Sequence, residues 1–393
     1  MNEKTGNTLG GSLIVAGTGI GAGMLGMPIS TGGGGLLVSC ILYLFCYLTM
    51  IATGLIFVEI DLWLKNEKSN FLTIAEHFLG KTARWIVAII YIVLFYSLLV
   101  AYVSGIGKIF VQILPYTITT IVFVLILAPL ILKGAYVIDR LNFLFMIGLF
   151  GFYALFIFFG LRFINYQHFQ LFDLATSLPG LPLIFTAFSY QGTVPSLINY
   201  LQRDVKKVRL AIIWGCTIAL VIYLIWQALI LGIVPLKGPG SLQEAKALGQ
   251  TAVYSLHLLT KNAWIYVLGQ GFAICAIVTS FLGVNMGLID FLADGLKLPK
   301  KGKNLVFIGC LAFFPPLIFA LLYPTIFLSA LHFAGGVGCV LLLGVFPIFS
   351  FYVGRYIKNY KEQKIFPFGK FTLFLLLIFL FLVFFEEVKQ IFI

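Results

Sequence analysis

Val15-Ala16-Gly17-Thr18-Gly19-Ile20-Gly21-Ala22-Gly23-Met24-Leu25-Gly26-Met27-Pro28 lies inside the first long apolar run of the chain. A glycine in a helix interior costs roughly 1 kcal/mol of helix propensity, so glycines this dense read as a place where a helix unwinds. Two other readings compete. Gly17 with Gly21, and Gly19 with Gly23, are small residues at i, i+4 that let a neighbouring helix approach closely. The stretch also matches a dinucleotide fingerprint twice, as Gly17-x-Gly19-x-x-Ala22 and Gly21-x-Gly23-x-x-Gly26. That motif works only between a strand and a helix of a soluble βαβ unit, and inside an apolar run it is a chance match.

The surrounding composition makes the setting a membrane. Of 393 residues, 61% are hydrophobic and 10% charged, against about 45–50% and about 25% in an ordinary soluble domain. At roughly 20 apolar residues per crossing helix, this content allows at most about twelve spans. Reading the apolar runs against their polar breaks gives eleven, at 9–30, 34–60, 85–111, 117–132, 137–160, 179–200, 210–234, 263–290, 304–322, 326–352 and 371–385. The expected fold class is therefore an all-α integral membrane protein, one polytopic domain over 1–393. No cleaved signal peptide is expected: the first tract continues through Gly21, Gly23 and Pro28 without an Ala-x-Ala-like site, and Glu3 offsets Lys4.

Charge placement gives an orientation. A net charge of +12 raises nucleic acid as a partner, but its distribution argues for topology. With a cytoplasmic N-terminus, the inside segments hold 20 of the 26 Lys and Arg residues. Only Lys108, Arg162, Lys237, Lys246, Lys261 and Lys389 fall outside, a strong positive-inside asymmetry. The lipid bilayer is then the expected environment, and nucleic acid is not an expected partner. An odd span count leaves the C-terminus outside, where Glu386 and Glu387 end the chain, and the long outer loop 235–262 has room for a short helix around Leu242 to Leu259. The six cysteines all sit in apolar runs and read as packing residues, and the four histidines lack metal-ligand spacing. No disulfide framework, metal or cofactor is expected.

A counterpart to the glycine-rich break occurs in the sixth span, Phe188-Ser189-Tyr190-Gln191-Gly192-Thr193-Val194-Pro195. Exposed backbone at membrane depth is tolerated only where it lines a cavity or is buried in protein. Two interrupted spans, each opening a set of five, are the trace of an inverted repeat, 9–160 and 179–352, with 371–385 as an addition. Amides at the start of the segment after the first break attract a carboxylate, and carbonyls at the ends of broken segments attract an ammonium. Together they describe a zwitterionic amino acid. Phe188 and Tyr190 at the second break, with Tyr96 and Tyr102 on span three, are candidates to stack on a flat substrate; lining the helix bundle is the open alternative for each.

The opening stretch, Val15 to Pro28, resembles the first motif of the bacterial hydroxy and aromatic amino acid permease family. Four further stretches are similar to its tyrosine-type members: Ala101-Tyr102-Val103-Ser104-Gly105; Ile184-Phe185-Thr186 continuing to Gly192-Thr193-Val194-Pro195-Ser196; Thr279-Ser280-Phe281-Leu282-Gly283-Val284; and Phe314-Pro315-Pro316-Leu317 through Tyr323-Pro324. The family also includes tryptophan- and serine/threonine-type members. The resemblance implies an eleven-helix inner-membrane symporter of the amino acid, polyamine and organocation superfamily, with a five-plus-five inverted repeat and broken helices 1 and 6. It implies a first break, Gly17-Thr18-Gly19 to Gly23, whose amides near Gly21, Ala22 and Gly23 receive the carboxylate. Carbonyls of Gly19 and of Phe188, Ser189 and Tyr190 then receive the ammonium. Discriminating tyrosine from phenylalanine needs a buried hydrogen-bonding group, for which Gln191 and Asn285 are candidates.

The same fold often holds sodium between first-helix carbonyls, here Gly17 and Ile20, and two hydroxyls, here Thr279 and Ser280, a set of oxygen ligands suited to a hard cation. Back-bonding of Thr279 and Ser280 within their own helix is the open alternative. Family members are described as proton-driven, and His332 in span ten is the one interior group that titrates near neutral pH. Glu59, Asp61, Asp139, Asp290 and Asp294 lie at cytoplasmic span ends, and no lysine lies inside span five. A membrane-embedded enzyme needs a convergent cluster of His, Asp or Glu at one face, which the sequence does not offer. A channel would more usually be a smaller oligomeric chain with a repeated filter segment.

Overall fold

The computed structural model describes residues 6–64, 70–111, 113–169, 171–260, 263–360 and 364–392, among which there is no strand. Lys4, Lys65, Lys68, Lys261 and Lys361 of the charge pattern lie outside the described residues. Helices follow in order: α1 Thr8–Gly19, α2 Gly23–Thr31, α3 Gly35–Trp63, α4 Phe71–Leu79, α5 Lys81–Ile109, α6 Tyr116–Leu132 and α7 Ala135–Gly160. The second half holds α8 Leu174–Ser177, α9 Leu181–Ala187, α10 Val194–Tyr200, α11 Val205–Ile233, α12 Leu242–Ala247, α13 Ala252–Thr260, α14 Ala263–Leu296 and α15 Gly302–Leu322. It closes with α16 Phe327–Phe333, a π-helical stretch Ala334–Val345, α17 Phe346–Tyr352 and α18 Lys370–Phe392.

Polar residues start several of these helices. Asn7 Oδ1 accepts from Gly10 N at 2.7 Å at the head of α1. Asn70 and Thr73 form a reciprocal capping box on α4, and Asp204 accepts from the amides of Lys206 and Lys207 on α11, each cap satisfying amides the helix leaves unpaired. Among the described residues, eight helical stretches are long and apolar enough to cross a membrane, namely Gly23–Trp63, Lys81–Ile109, Tyr136–Phe163, Val205–Ile233, Trp264–Leu296, Gly302–Leu322, Phe327–Ile357 and Lys370–Phe392. The 17-residue α6 is shorter. The expected first and sixth spans are each two short helices, α1 with α2 and α9 with α10.

Helix ends differ from expectation by several residues, α14 running to Leu296 against 290 and the stretch from Phe327 to Ile357 against 352, and two further differences stand out. The last helix does not stop at 385 but runs to Phe392, because Glu386 and Glu387 are buried, at 6% and 3% exposure, instead of forming a polar tail. The loop after α11 carries two short helices, α12 and α13, separated at Gly249, whose φ of +59° lies in the left-handed region that glycine tolerates. Around the bundle, apolar side chains such as Phe143, Leu144, Phe158, Phe307 and Phe371 stay exposed, as a lipid-facing surface requires. Inside it, α1 packs on α11, α7 on α14, and α2 on α9, which brings the two interrupted helices together.

Candidate functional site

At the first break the helix ends at Gly19, and Ile20 leaves it with ψ of 90°. The second half-helix restarts through short bonds from Met24 N to Gly21 O and from Leu25 N to Ala22 O, both 3.2 Å. At the second break α9 ends at Ala187, Ser189 N and Oγ both donate to Thr186 O, and Thr193 N and Oγ1 both donate to Tyr190 O at 2.8 Å. Both expected interruptions are therefore real losses of helix, at the residues whose composition called for them.

Two side chains from other helices meet the first break. Ser280 Oγ, on α14, accepts from Ala22 N at 3.2 Å, so one of the three amides expected to receive a carboxylate already faces a hydroxyl oxygen. Tyr223, on α11 and fully buried, has its hydroxyl 2.6 Å from Gly19 O and 2.7 Å from Ala187 O. One phenolic hydrogen thus lies between the carbonyl ends of both first half-helices. No motif drew attention to Tyr223; a tyrosine placed mid-span, where its hydroxyl must find a partner, was the available signal.

A cavity of about 810 Å³ opens beside the breaks, within the usual range for small-molecule sites. Its lining includes Gly17, Thr18, Tyr102, Ser189, Tyr190, Thr279 and Ser280 from the expected set. It also includes Tyr91, Phe95, Asn142 and Met146, which sequence reasoning did not single out. Tyr91, Phe95, Leu98 and Tyr102 follow one another at helical spacing down one face of α5, a stripe that was readable. Tyr91 stacks between Phe95 at 4.1 Å and Phe291 at 4.3 Å. The cavity reaches Leu13, Ile14, Phe71 and Asp139, on the face where the N-terminus lies. Toward the opposite face, Gln227 ties α2, α3 and α11 together: its Nε2 donates to Thr31 Oγ1 at 3.0 Å and Ser39 Oγ at 2.9 Å, while its Oε1 accepts from Tyr43 at 2.5 Å.

Other expected residues are placed elsewhere. Gly19, Ile20, Gly21, Ala22 and Gly23 are buried behind Ser280 and Ala187, and a Cβ on Gly21 would come within 2.2 Å of Ser280 Oγ. Phe188 turns its ring edge to Tyr223, with centroids 4.8 Å apart. Gln191 is fully buried against α3, donating to Thr53 Oγ1 and Met50 Sδ at 3.0 Å and accepting from Tyr190 N. Asn285 is buried and donates to Phe281 O within its own helix. Tyr96 is not with Tyr102: six residues is about 240° around a helix, and its hydroxyl donates to Leu311 O at 2.8 Å beside a second cavity. His332 also lines that second cavity. Thr279 donates to Cys275 O at 2.9 Å, the back-bonded alternative, while Ser280 uses its oxygen across helices.

A family model for tryptophan/tyrosine permeases matches residues 4–386. The chain belongs to the tryptophan/tyrosine permease family. The tyrosine-specific transport system 1 of Haemophilus influenzae is 32% identical over 336 residues, 84% of each chain. The tryptophan-specific transport protein of Pseudomonas aeruginosa is also 32% identical, over 348 residues covering 83% of this chain and 82% of the relative. The family and these relatives are transport proteins, so the enzyme alternative falls and the chain is a multi-pass membrane permease. Among solved structures, an Eremococcus coleocola manganese transporter in complex with an aromatic bis-isothiourea substituted compound superposes with a TM-score of 0.62 at 14% identity, covering 98% of this chain and 86% of that one. At that identity the likeness concerns the transporter fold alone.

Proposed function

We propose that this permease imports an aromatic amino acid, tyrosine first, across a bacterial inner membrane by proton symport and alternating access. The observation that carries the reading is the cavity of about 810 Å³ that reaches Gly17 and Thr18 just before the first break and Ser189, Gly192 and Thr193 at the second, and is walled by Tyr91, Phe95, Tyr102 and Tyr190. Half-helix ends supply the polar partners of a zwitterion there, and the ring stripe on α5 supplies a flat apolar wall. Relatives named for tyrosine and for tryptophan at equal identity support the aromatic class; tryptophan is the second substrate reading.

In this reading the chain crosses the membrane eleven times, as two five-helix repeats, 9–160 and 179–352, followed by the extra helix. Its N-terminus is cytoplasmic and its C-terminus periplasmic. The open cavity then faces the cytoplasm, and the Gln227 cluster closes the other side. Substrate carboxylate displaces Ser280 Oγ from the Ala22 amide, and the ammonium takes the free lone pairs of Gly19 O and the Ser189 segment. Sodium coupling is the second reading for the ion, favoured by the Ser280 hydroxyl at the first break with Thr279 beside it on α14.

Uptake of labelled tyrosine into proteoliposomes tests both points. Phenylalanine and tryptophan should compete and serine should not; equal competition by serine sinks the aromatic assignment. With the membrane potential clamped, an acidic exterior without sodium should drive accumulation. Accumulation that requires sodium, and is lost in Thr279→Ala, replaces the proton with sodium.

A further inference from the structure

The second cavity, about 760 Å³, lies on the face opposite the N-terminus, between α5, α12, the α15–α16 connection and α18. Its walls include Tyr96, Lys246, Phe319, His332, Phe333 and Glu387. Two of these are unusual for a lipid-level crevice. Glu387 is 3% exposed and His332 6% exposed, yet Glu387 Oε2 and His332 Nδ1 have no hydrogen-bond partner. A buried polar atom left unpaired costs about 1–3 kcal/mol, more if charged, and ionisable residues at membrane depth are by default functional. The packing also makes room for the acid: a Cβ on Gly336 would come within 2.3 Å of Glu387 Cβ.

The partners that would satisfy this pair have a definite chemistry. His332 Nε2 lies 3.0 Å from Ser30 Oγ; with Nε2 donating there, Nδ1 is an acceptor. A carboxylate oxygen and an imidazole acceptor both call for N–H donors, which one primary ammonium supplies from a single atom. Lys246, exposed on α12, is the cation at the same cavity, suited to a carboxylate. Phe319, Phe333 and the Tyr96 ring offer apolar faces in the same cavity. The remaining charged neighbours on α18 are occupied with each other, Lys389 donating to Glu386 at 3.2 Å.

We infer that this cavity is a second amino acid site, binding a zwitterion with its ammonium on Glu387 and His332, its carboxylate toward Lys246 and its side chain against the aromatic wall. The inference builds on the permease reading, because the ligand is of the transported class; it assigns a waiting position on the side from which substrate arrives. Ser30 belongs to α2, so the imidazole that holds the ammonium at Nδ1 is bonded through Nε2 to the half-helix that follows the first break.

Equilibrium binding of labelled tyrosine to purified protein in phospholipid nanodiscs separates the two sites. Wild type should bind two tyrosines per chain. Glu387→Gln should leave one, and Gly21→Leu, which blocks the first break, should leave the other. Lys246→Ala, a surface change with little risk to folding, should weaken the second site about tenfold for tyrosine while leaving tyramine, which lacks the carboxylate, unchanged. One tyrosine per chain, lost in Gly21→Leu and untouched by Glu387→Gln and Lys246→Ala, overturns the second site and leaves the permease reading standing. Binding lost in Glu387→Gln and untouched by Gly21→Leu supports the second site and removes the first. A phospholipid retained by wild type and not displaced by tyrosine, seen by native mass spectrometry alongside single-site binding, also overturns the inference.

Discussion

Tyr223→Phe isolates one hydroxyl at the point where both interrupted helices end. The ring stays, and with it the edge-on contact to Phe188 at 4.8 Å; only the oxygen shared by Gly19 O and Ala187 O at 2.6 and 2.7 Å is lost. A hydrogen bond contributes about 1 ± 0.5 kcal/mol net, and a buried acceptor stripped of its donor costs about 1–3 kcal/mol. One shared hydrogen and two carbonyls at this depth therefore put the loss at about 1–3 kcal/mol, a roughly 5- to 150-fold shift in whatever equilibrium the contact holds. If the tie exists in every transport state, the loss falls on stability and the melting temperature drops with counterflow intact. If it belongs to the state with the cavity open toward the N-terminal face, counterflow slows by about tenfold or more, each 1.4 kcal/mol being a factor of ten. Counterflow in proteoliposomes and thermal unfolding of the same preparation read the two possibilities side by side. Counterflow within twofold of wild type and an unshifted melt together would refute the assignment of Tyr223 as the tie between the breaks.

The first break should resist bulk: Gly21→Leu is expected to abolish uptake while the protein still reaches the membrane, whereas loss of protein in proportion to loss of uptake would return the glycines to simple helix packing. Glu59 is buried, bonded to Arg355 at 2.6 Å and to the amides of Ile365 and Phe366 at 2.9 Å; Glu59→Ala should lower the melting temperature, since it strips a half-buried guanidinium and two buried amides of their carboxylate, and an unchanged melt would show that pair to be dispensable. His77, outside the spans on α4, is held below the ordinary histidine pKa by burial and then by Lys358. The fold therefore prefers its neutral ring, and stability from this site is complete above the unfolded pKa and declines as pH falls through the lowered one. His77→Gln should flatten the acid side of a melting-temperature profile, and an unaltered slope would exclude that contribution.

Much of the fold was legible because membrane solvation is a severe filter. Apolar runs have to be helices there, so the long spans α3, α5, α11, α14 and α15 fall where the runs do. Both interruptions were visible as Gly17 to Gly23 and Ser189 to Pro195, where glycine, proline and polar residues crowd a span. Side-chain direction was not legible in the same way. Tyr190 lines the cavity while its hydroxyl donates to Met50 O of α3 at 3.1 Å, and Gln191 beside it is buried against the same helix; the chain there is irregular, so no helical period assigns its faces. Tyr96 was misplaced for the opposite reason: α5 is regular, and its period carries Tyr96 away from Tyr102. The buried ends Glu386 and Glu387 read as a polar tail because hydropathy stops at Phe385, and only the packing of α18 against the π-helical Ala334–Val345 reveals that they are inside.

The two breaks satisfy their backbone differently, and the difference bears on which of them moves. Around the second, Thr186 O receives Ser189 N and Oγ, Tyr190 O receives Thr193 N and Oγ1, and Tyr190 N donates to Gln191 Oε1. Those bonds lie within the segment and travel with it, although the Ala187 carbonyl, like that of Gly19, depends on Tyr223 of α11. Around the first, the Gly19 carbonyl depends on Tyr223 of α11 and the Ala22 amide on Ser280 of α14, so its satisfaction holds only while those helices keep their present positions. A shift of α14 or α11 by a few ångströms breaks those bonds and exposes the amide and carbonyl together, which at membrane depth is tolerable only if water or a ligand replaces them. A zwitterion brings a carboxylate for the amide and an ammonium for the carbonyl, so a bound substrate compensates the movement that an empty site resists. Under the proposed transport reading, the first break is the element whose equilibrium a substrate would bias by differential contact, which is what coupling of binding to conformational change demands.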